Sequence, residues 1–210
     1  MFRFDKAMKI LIEDVVEHCA YFQHIKLDHV LISTKQAKAE GSEGTWAQLF
    51  PMRYKNGAVS GIEKFSGRVE RYRMEPIFVD RKEIFYILYF FLPRFFNLSF
   101  IEKVTTIFHE LYHISPDFNG DVRRFPGKNF MHGSSIDRYD SLMMALSKDY
   151  LFRTPNPEKS DFLRFGYKAL NKRHGGVIFE NHFPEPLPVY VAPVQSKRKK
   201  AARRPRRRKR

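Results

Sequence analysis

Residues 101–114 read IEKVTTIFHELYHI, and within them His109-Glu110-Leu111-Tyr112-His113 forms an H-E-x-x-H sequence. Its chemistry depends on helical geometry. Two histidines four positions apart stand one above the other on one helix face, so both imidazoles reach a single metal ion. The neighbouring Glu is rotated to the side, where it meets a water held at that ion and can take its proton. The spacing predicts such a helix. At 100° per residue, Ile101, Val104, Ile107, Phe108, Leu111 and Ile114 fall on one apolar arc, while His109 and His113 lie opposite, in a stripe with Glu102 and Thr106. Asn97-Leu98-Ser99 offers the cap. Ser115-Pro116-Asp117 stops the helix, since Pro116 has no N–H to donate and disfavours the α region for Ser115.

Zinc in a hydrolytic site takes three protein ligands and keeps one position open. In metzincins the third ligand lies six residues after the second, a position held here by Asn119, which excludes that class. His132, in Phe130-Met131-His132-Gly133-Ser134, is the best candidate; Gly127 and Gly133 ease the tight passage back. Asp117, Asp121, Asp137 and Asp140 are rival carboxylates, and His174 is an outsider. Tyr139, Arg123 and Arg124 are candidate helpers for an oxyanion, although the two arginines are better explained by pairing with acids or by exposure.

Around this centre the 210 residues suit one domain with an appendage. With 43% hydrophobic residues, 15% aromatics and 21 Phe, a packed body is expected. The single cysteine, Cys19, excludes an internal disulfide framework and a Cys-rich zinc knuckle, and points to a reducing, cytoplasmic setting. The N-terminal segment is no secretion signal, because Glu13, Asp14 and Glu17 interrupt it; it reads as an amphipathic helix over 5–22. His29–Thr34 and Trp46–Tyr54 read as strands, Asn56-Gly57 as the turn of a hairpin, and 69–79 as a further strand split or pushed to an edge by Pro76. Residues 83–100 are very apolar. The unbroken run IFYILYFFL is too short to span a bilayer, and Pro93, Arg94 and Asn97 interrupt the remainder of that segment. A core helix behind the metal helix is expected there, with a membrane-surface helix as the alternative. Residues 137–149 read as another amphipathic helix, with Met143, Met144 and Leu146 as core. A short helix is expected over 162–170, a small strand over 177–179, and an extended Pro-rich linker over 183–196.

The net charge of +15 is uneven: Lys197 to Arg210 holds 11 basic residues and no acid, and the remaining 27 basic residues face 23 acids. These 11 residues are Lys197, Arg198, Lys199, Lys200, Arg203, Arg204, Arg206, Arg207, Arg208, Lys209 and Arg210. A tail of this kind is expected to be disordered alone and to contact the phosphates of DNA or RNA without sequence preference.

The pattern HELYHI, followed by Phe118-x-Gly120-x-x-Arg123 and a later His132-Gly133, resembles the phage metallopeptidase family over about residues 28–150. It is more distantly similar to SprT-like and Spartan proteases, around the metal segment alone. The resemblance implies an α+β fold: a compact zincin-like domain over 1–182, with a small mixed sheet beside the active-site helix. It also implies Zn2+ on His109, His113 and His132, with Glu110 as general base for hydrolysis of a protein or peptide substrate. The chain lacks the Cys-rich module of many SprT-like proteins, so their DNA-binding apparatus is not carried over. A second reading is a nucleic-acid-binding protein that keeps the zinc site as a structural or vestigial feature.

Overall fold

In the computed structural model, residues 1–38, 43–65, 67–127, 130–133, 135–179 and 182–194 are described. The chain is a mixed α+β protein. A short strand β1 (Phe2–Arg3) leads into helix α1 (Phe4–His18), and strands continue as β2 (Val30–Gln36), β3 (Ala47–Pro51), β4 (Ser60–Phe65), β5 (Arg68–Arg73), β6 (Ile77–Val79), β7 (Lys82–Ile84) and β8 (Tyr86–Leu92). After them come α2 (Phe100–Tyr112), α3 (Ile136–Arg153), a 3-10 segment (Pro157–Arg164), α4 (Tyr167–His174), β9 (Val177–Ile178) and β10 (Val189–Pro193). No helix among the described residues is long and apolar enough to cross a membrane.

The central sheet has the order β2-β8-β3, with β2 parallel and β3 antiparallel to β8. Here one expectation fails. The apolar run at 84–92 ends β7 with Ile84 and then forms the central strand β8, and is neither a core helix nor a membrane-surface helix. Every residue from Tyr86 to Phe90 is 0% exposed. Tyr86, Leu88 and Phe90 face the main core, with Phe4, Met8 and Leu11 of α1 and Val104, Ile107 and Phe108 of α2. Ile87 and Tyr89 face a second, smaller core with Leu31, Met52, Met74 and Ile84. A strand covered on both faces needs no polar positions, so the period-two signature that would have revealed it is missing.

Asn56-Gly57 does form a tight turn, with φ of 59° and 76°. It closes only an isolated bridge, Tyr54 to Ala58, and β3 pairs with β8 instead of the following strand. The segment 69–79 is divided at Pro76 into β5 and β6, as expected. Phe183–Glu185 is strapped across the sheet: the Phe183 N–H donates to Ser33, Tyr89 donates to the Pro184 carbonyl at 3.0 Å, and Lys35 pairs with Glu185. The basic tail Lys197–Arg210 lies outside the described residues.

Helix α2 is set by both ends and by its packing. Ser99 is its N-cap, and with Glu102 it makes a reciprocal capping box that satisfies two orphan N–H groups. Lys103 is buried on the same helix, and its ammonium donates to the carbonyls of Leu163 (2.9 Å) and Phe165 (3.0 Å), tying α2 to the 3-10 segment. Replacing Lys103 by Met keeps the stem but strands both carbonyls, and is expected to cost about 2–3 kcal/mol in urea unfolding. Burial pushes the Lys103 ammonium down from 10.5 to about 8. Between these values the unfolded chain binds the extra proton, so stability should rise with pH across that window, and Lys103→Met should lose this rise.

Candidate metal centre

Helix α2 presents His109 and His113 one turn apart, with His113 as its C-cap. A closed loop comes next. Ile114 pairs with Val122, and the Arg123 N–H returns to the His113 carbonyl at 2.6 Å. Tyr86, from the central strand, pins the loop by accepting from the Gly120 N–H and donating to the Asp121 carbonyl. The chain then brings His132 to the histidine pair, immediately before Gly133, whose φ of 72° suits glycine.

The three imidazoles converge. Ring centroids lie 4.8 Å apart for His109 and His113, 5.2 Å for His109 and His132, and 5.0 Å for His113 and His132. One ligating atom from each falls within 4.8 Å of the others, and Nε2 of His109 and Nε2 of His132 are 3.3 Å apart. A tetrahedral ion at ~2.05 Å from each nitrogen needs donors separated by about 3.3 Å, so this pair stands at the required spacing and the group of three could hold a small cation. Among the described residues the cluster holds three ligands and no fourth His, Cys, Asp or Glu.

The Nδ1 atoms of His109 and His113 are held by partners. His109 Nδ1 faces Asp140 at 3.4 Å. The hydroxyl of Tyr139 lies 3.2 Å from the His109 carbonyl and 3.3 Å from His113 Nδ1. It donates to the carbonyl and accepts from the imidazole N–H, so Nε2 of His113 is left with its lone pair toward the cluster. Burial lowers the His113 pKa to about 3, helped by repulsion from His109, His132 and Arg123. His109 is lowered by burial and then by His132, against the pull of Asp140. Neutral imidazole is the ligating form.

Glu110 is buried beside the histidines, and its carboxylate accepts from the Leu49 N–H of the edge strand β3 at 2.7 Å. Burial pushes its pKa up to about 7, partly offset by that hydrogen bond. A cleft of about 370 Å³ opens beside it, lined by Trp46, Ala47, Thr105, His109, Glu110 and Met144 among others. Glu102 and Thr106, which share the stripe of His109, form part of the wall of this cleft.

The rival ligands have other places. Asp121 is buried and spent on the Asn56 and Val122 N–H groups and on Arg124. Asp140 supports His109 from outside, Asp117 and Asp137 are exposed, and His174 packs on Phe2. None of the oxyanion candidates faces the cleft. Tyr139 lies under the histidines, Arg123 donates to the Tyr112 carbonyl and covers that ring, and Arg124 pairs with Asp121. Of the expected core methionines, Met143 is buried but Met144 lines the cleft. Sequence reasoning did not assign the Asp140 and Tyr139 supporting roles; a readable signal was their place at the start of a helix just after His132.

In comparisons with known proteins, no family model matched the chain, and no match was found among curated proteins or solved structures.

Proposed function

We propose that this chain is a zinc-dependent metallopeptidase of the zincin type, in which His109, His113 and His132 hold the ion and Glu110 is the general base. The observation that carries the reading is the convergence of three imidazoles, with a buried carboxylate from the same helix as two of them beside the cluster at the wall of a cleft. When bound, zinc would supply a Lewis acid that polarises the scissile carbonyl and acidifies a water. Glu110 takes a proton from the attacking water as the new C–O bond forms, and gives it to the amine nitrogen as the C–N bond breaks. Leu49 holds the carboxylate in place, while Asp140 and Tyr139 orient two of the imidazoles. The cleft has the volume that receives a side chain of a protein substrate.

Three ligands, with no fourth among the described residues, favour this reading over a structural zinc, which is normally closed by four. The basic tail Lys197–Arg210 adds a contact to nucleic acid by its charge, which would bring the peptidase to proteins bound there. Cys19 is buried and free of any disulfide, in keeping with a cytoplasmic setting.

Metal content by mass spectrometry tests the site. About one zinc per chain is expected in the purified protein, lost on both His109→Ala and His132→Ala. Zinc kept by His132→Ala would move the third ligand elsewhere, and a chain that takes up no zinc on reconstitution would sink the peptidase.

A further inference from the structure

The cleft beside Glu110 joins apolar walls to carboxylates that no cation neutralises. Trp46 and Ala47 line it from the start of β3, Asp140 and Met144 from α3, and Glu102 from the first turn of α2. Glu102 is exposed; its Oε2 accepts from the Ser99 N–H at 2.7 Å, and its Oε1 has no partner among the described residues. Asp140 is just over half exposed, with Oδ1 toward His109, and its Oδ2 likewise has no partner among them. No Lys or Arg among the described residues lines the cleft or pairs with either acid. Arg94 stands behind the rim at Gly44, where it is buried and donates to the Thr45 carbonyl at 3.1 Å. The two acids are spread along the cleft. Asp140 faces His109 of the metal cluster, whereas Glu102 lies eight residues before Glu110 on α2, about 12 Å away at 1.5 Å per residue.

We propose, resting on the peptidase reading, that this cleft selects substrates by a Lys or Arg side chain, so that the enzyme acts on basic segments of proteins. A long aliphatic stem lies against Ala47 and Met144 while its charged head reaches Asp140, a division into apolar and cationic parts that only Lys and Arg provide. The Trp46 ring adds attraction for a cation over its face. A Leu side chain would cover the same walls but leave both carboxylates without a counter-ion, and a Glu would bring a like charge to them. An extended substrate advances about 3.3 Å per residue, so the ~12 Å between Glu110 and Glu102 spans three to four residues. A second basic residue in that stretch meets Glu102.

Fluorescence of Trp46, the only Trp of the chain, reports occupancy without cleavage, and so tests selection in the zinc-loaded full chain and in Glu110→Gln alike. Peptides of one sequence, with Lys, Leu or Glu scanned through its central positions, are titrated into both and assayed for hydrolysis by the parent chain. At its best position the Lys peptide should bind about tenfold more tightly than the Leu peptide at ~0.1 M salt, and the Glu peptide more weakly than either. The Lys advantage should shrink at ~1 M salt. Glu102→Gln keeps the capping box, since Gln also serves at that position, and should lower the Lys-to-Leu ratio about threefold. A merely structural loss would weaken both peptides equally. Equal binding of the three peptides overturns the selection, as does a Lys-to-Leu ratio that Glu102→Gln leaves unchanged; hydrolysis of all three would then leave the peptidase standing. Selective binding of the Lys peptide by a chain that hydrolyses none overturns the peptidase and keeps the cation selection. No binding and no hydrolysis of any peptide overturns both.

Discussion

Glu110→Gln is expected to lower kcat/KM for hydrolysis of a fluorescein-labelled casein by about 10²–10⁴-fold, the usual contribution of a positioned general base. The substitution is close to isosteric, and Gln keeps a carbonyl oxygen to accept from the Leu49 N–H that now bonds the carboxylate at 2.7 Å. The three histidines are untouched, so zinc content should match the parent chain. Stability should hold or rise, because a buried group whose pKa burial pushes up to about 7 is replaced by a neutral amide. Glu110→Asp makes a second probe. Its carboxyl is about one methylene shorter and cannot both reach Leu49 and stay at the cleft, so it should lose most activity while keeping the ion. Full activity in Glu110→Gln, with zinc bound and the chain folded, would remove Glu110 from the chemistry.

How much of this was legible depended on how far each cause lies from its effect along the chain. The α2 helix was readable because its periodicity, its Ser99 cap and its Pro116 stop are all local. Its histidine pair was readable for the same reason; His132, the candidate suggested by the ligand count of a zinc site, does lie beside that pair. The strand β8 was not, because its burial comes from two separate cores and leaves no alternation in residues 86–90. Asn56-Gly57 shows the division within one motif. Local chemistry dictated the turn, but the partner of β3 was settled by β8, some forty residues on along the register Ala47 to Phe90. Tyr139 was noticed as a phenol near the site, yet only the packing of α3 on α2 puts its hydroxyl under His109 and His113.

Asp14 is the sharpest case of a residue whose role no local pattern could reveal, and its removal should be the most damaging change to the fold. In the sequence it merely interrupts an apolar segment. In the structure it is 0% exposed and accepts four hydrogen bonds from residues 136 to 145 positions away. Oδ2 takes the Tyr150 hydroxyl at 2.7 Å and the Thr154 hydroxyl at 2.8 Å; Oδ1 takes Asn156 Nδ2 at 2.6 Å and Lys159 Nζ at 2.8 Å. One carboxylate therefore clamps α1 to the end of α3 and the turn beyond it. Asp14→Ala should cost about 3–4 kcal/mol, since buried donors are stranded while Lys159, at the rim, can turn to water. Asp14→Asn should also destabilise, by about 2 kcal/mol, because its amide N–H₂ would face donors where an acceptor is required. Burial alone would raise the Asp14 pKa, but the bonds from Lys159, Tyr150, Thr154 and Asn156 prevail and hold it well below 3.8. The folded chain therefore binds fewer protons than the unfolded one just below that value, and stability should fall as pH drops beneath about 4. In Asp14→Asn this acid-induced loss should be smaller, which urea unfolding at a series of pH values would show; an unchanged pH slope would mean that the carboxylate is not the clamp. The metal end of α3 should tolerate the change. Tyr139 and Asp140 sit roughly 15 Å up the helix from Tyr150, at 1.5 Å per residue, and Ser135 caps that end independently. Below its melting transition the Asp14→Ala chain should thus still bind zinc, which separates damage to the clamp from damage to the site.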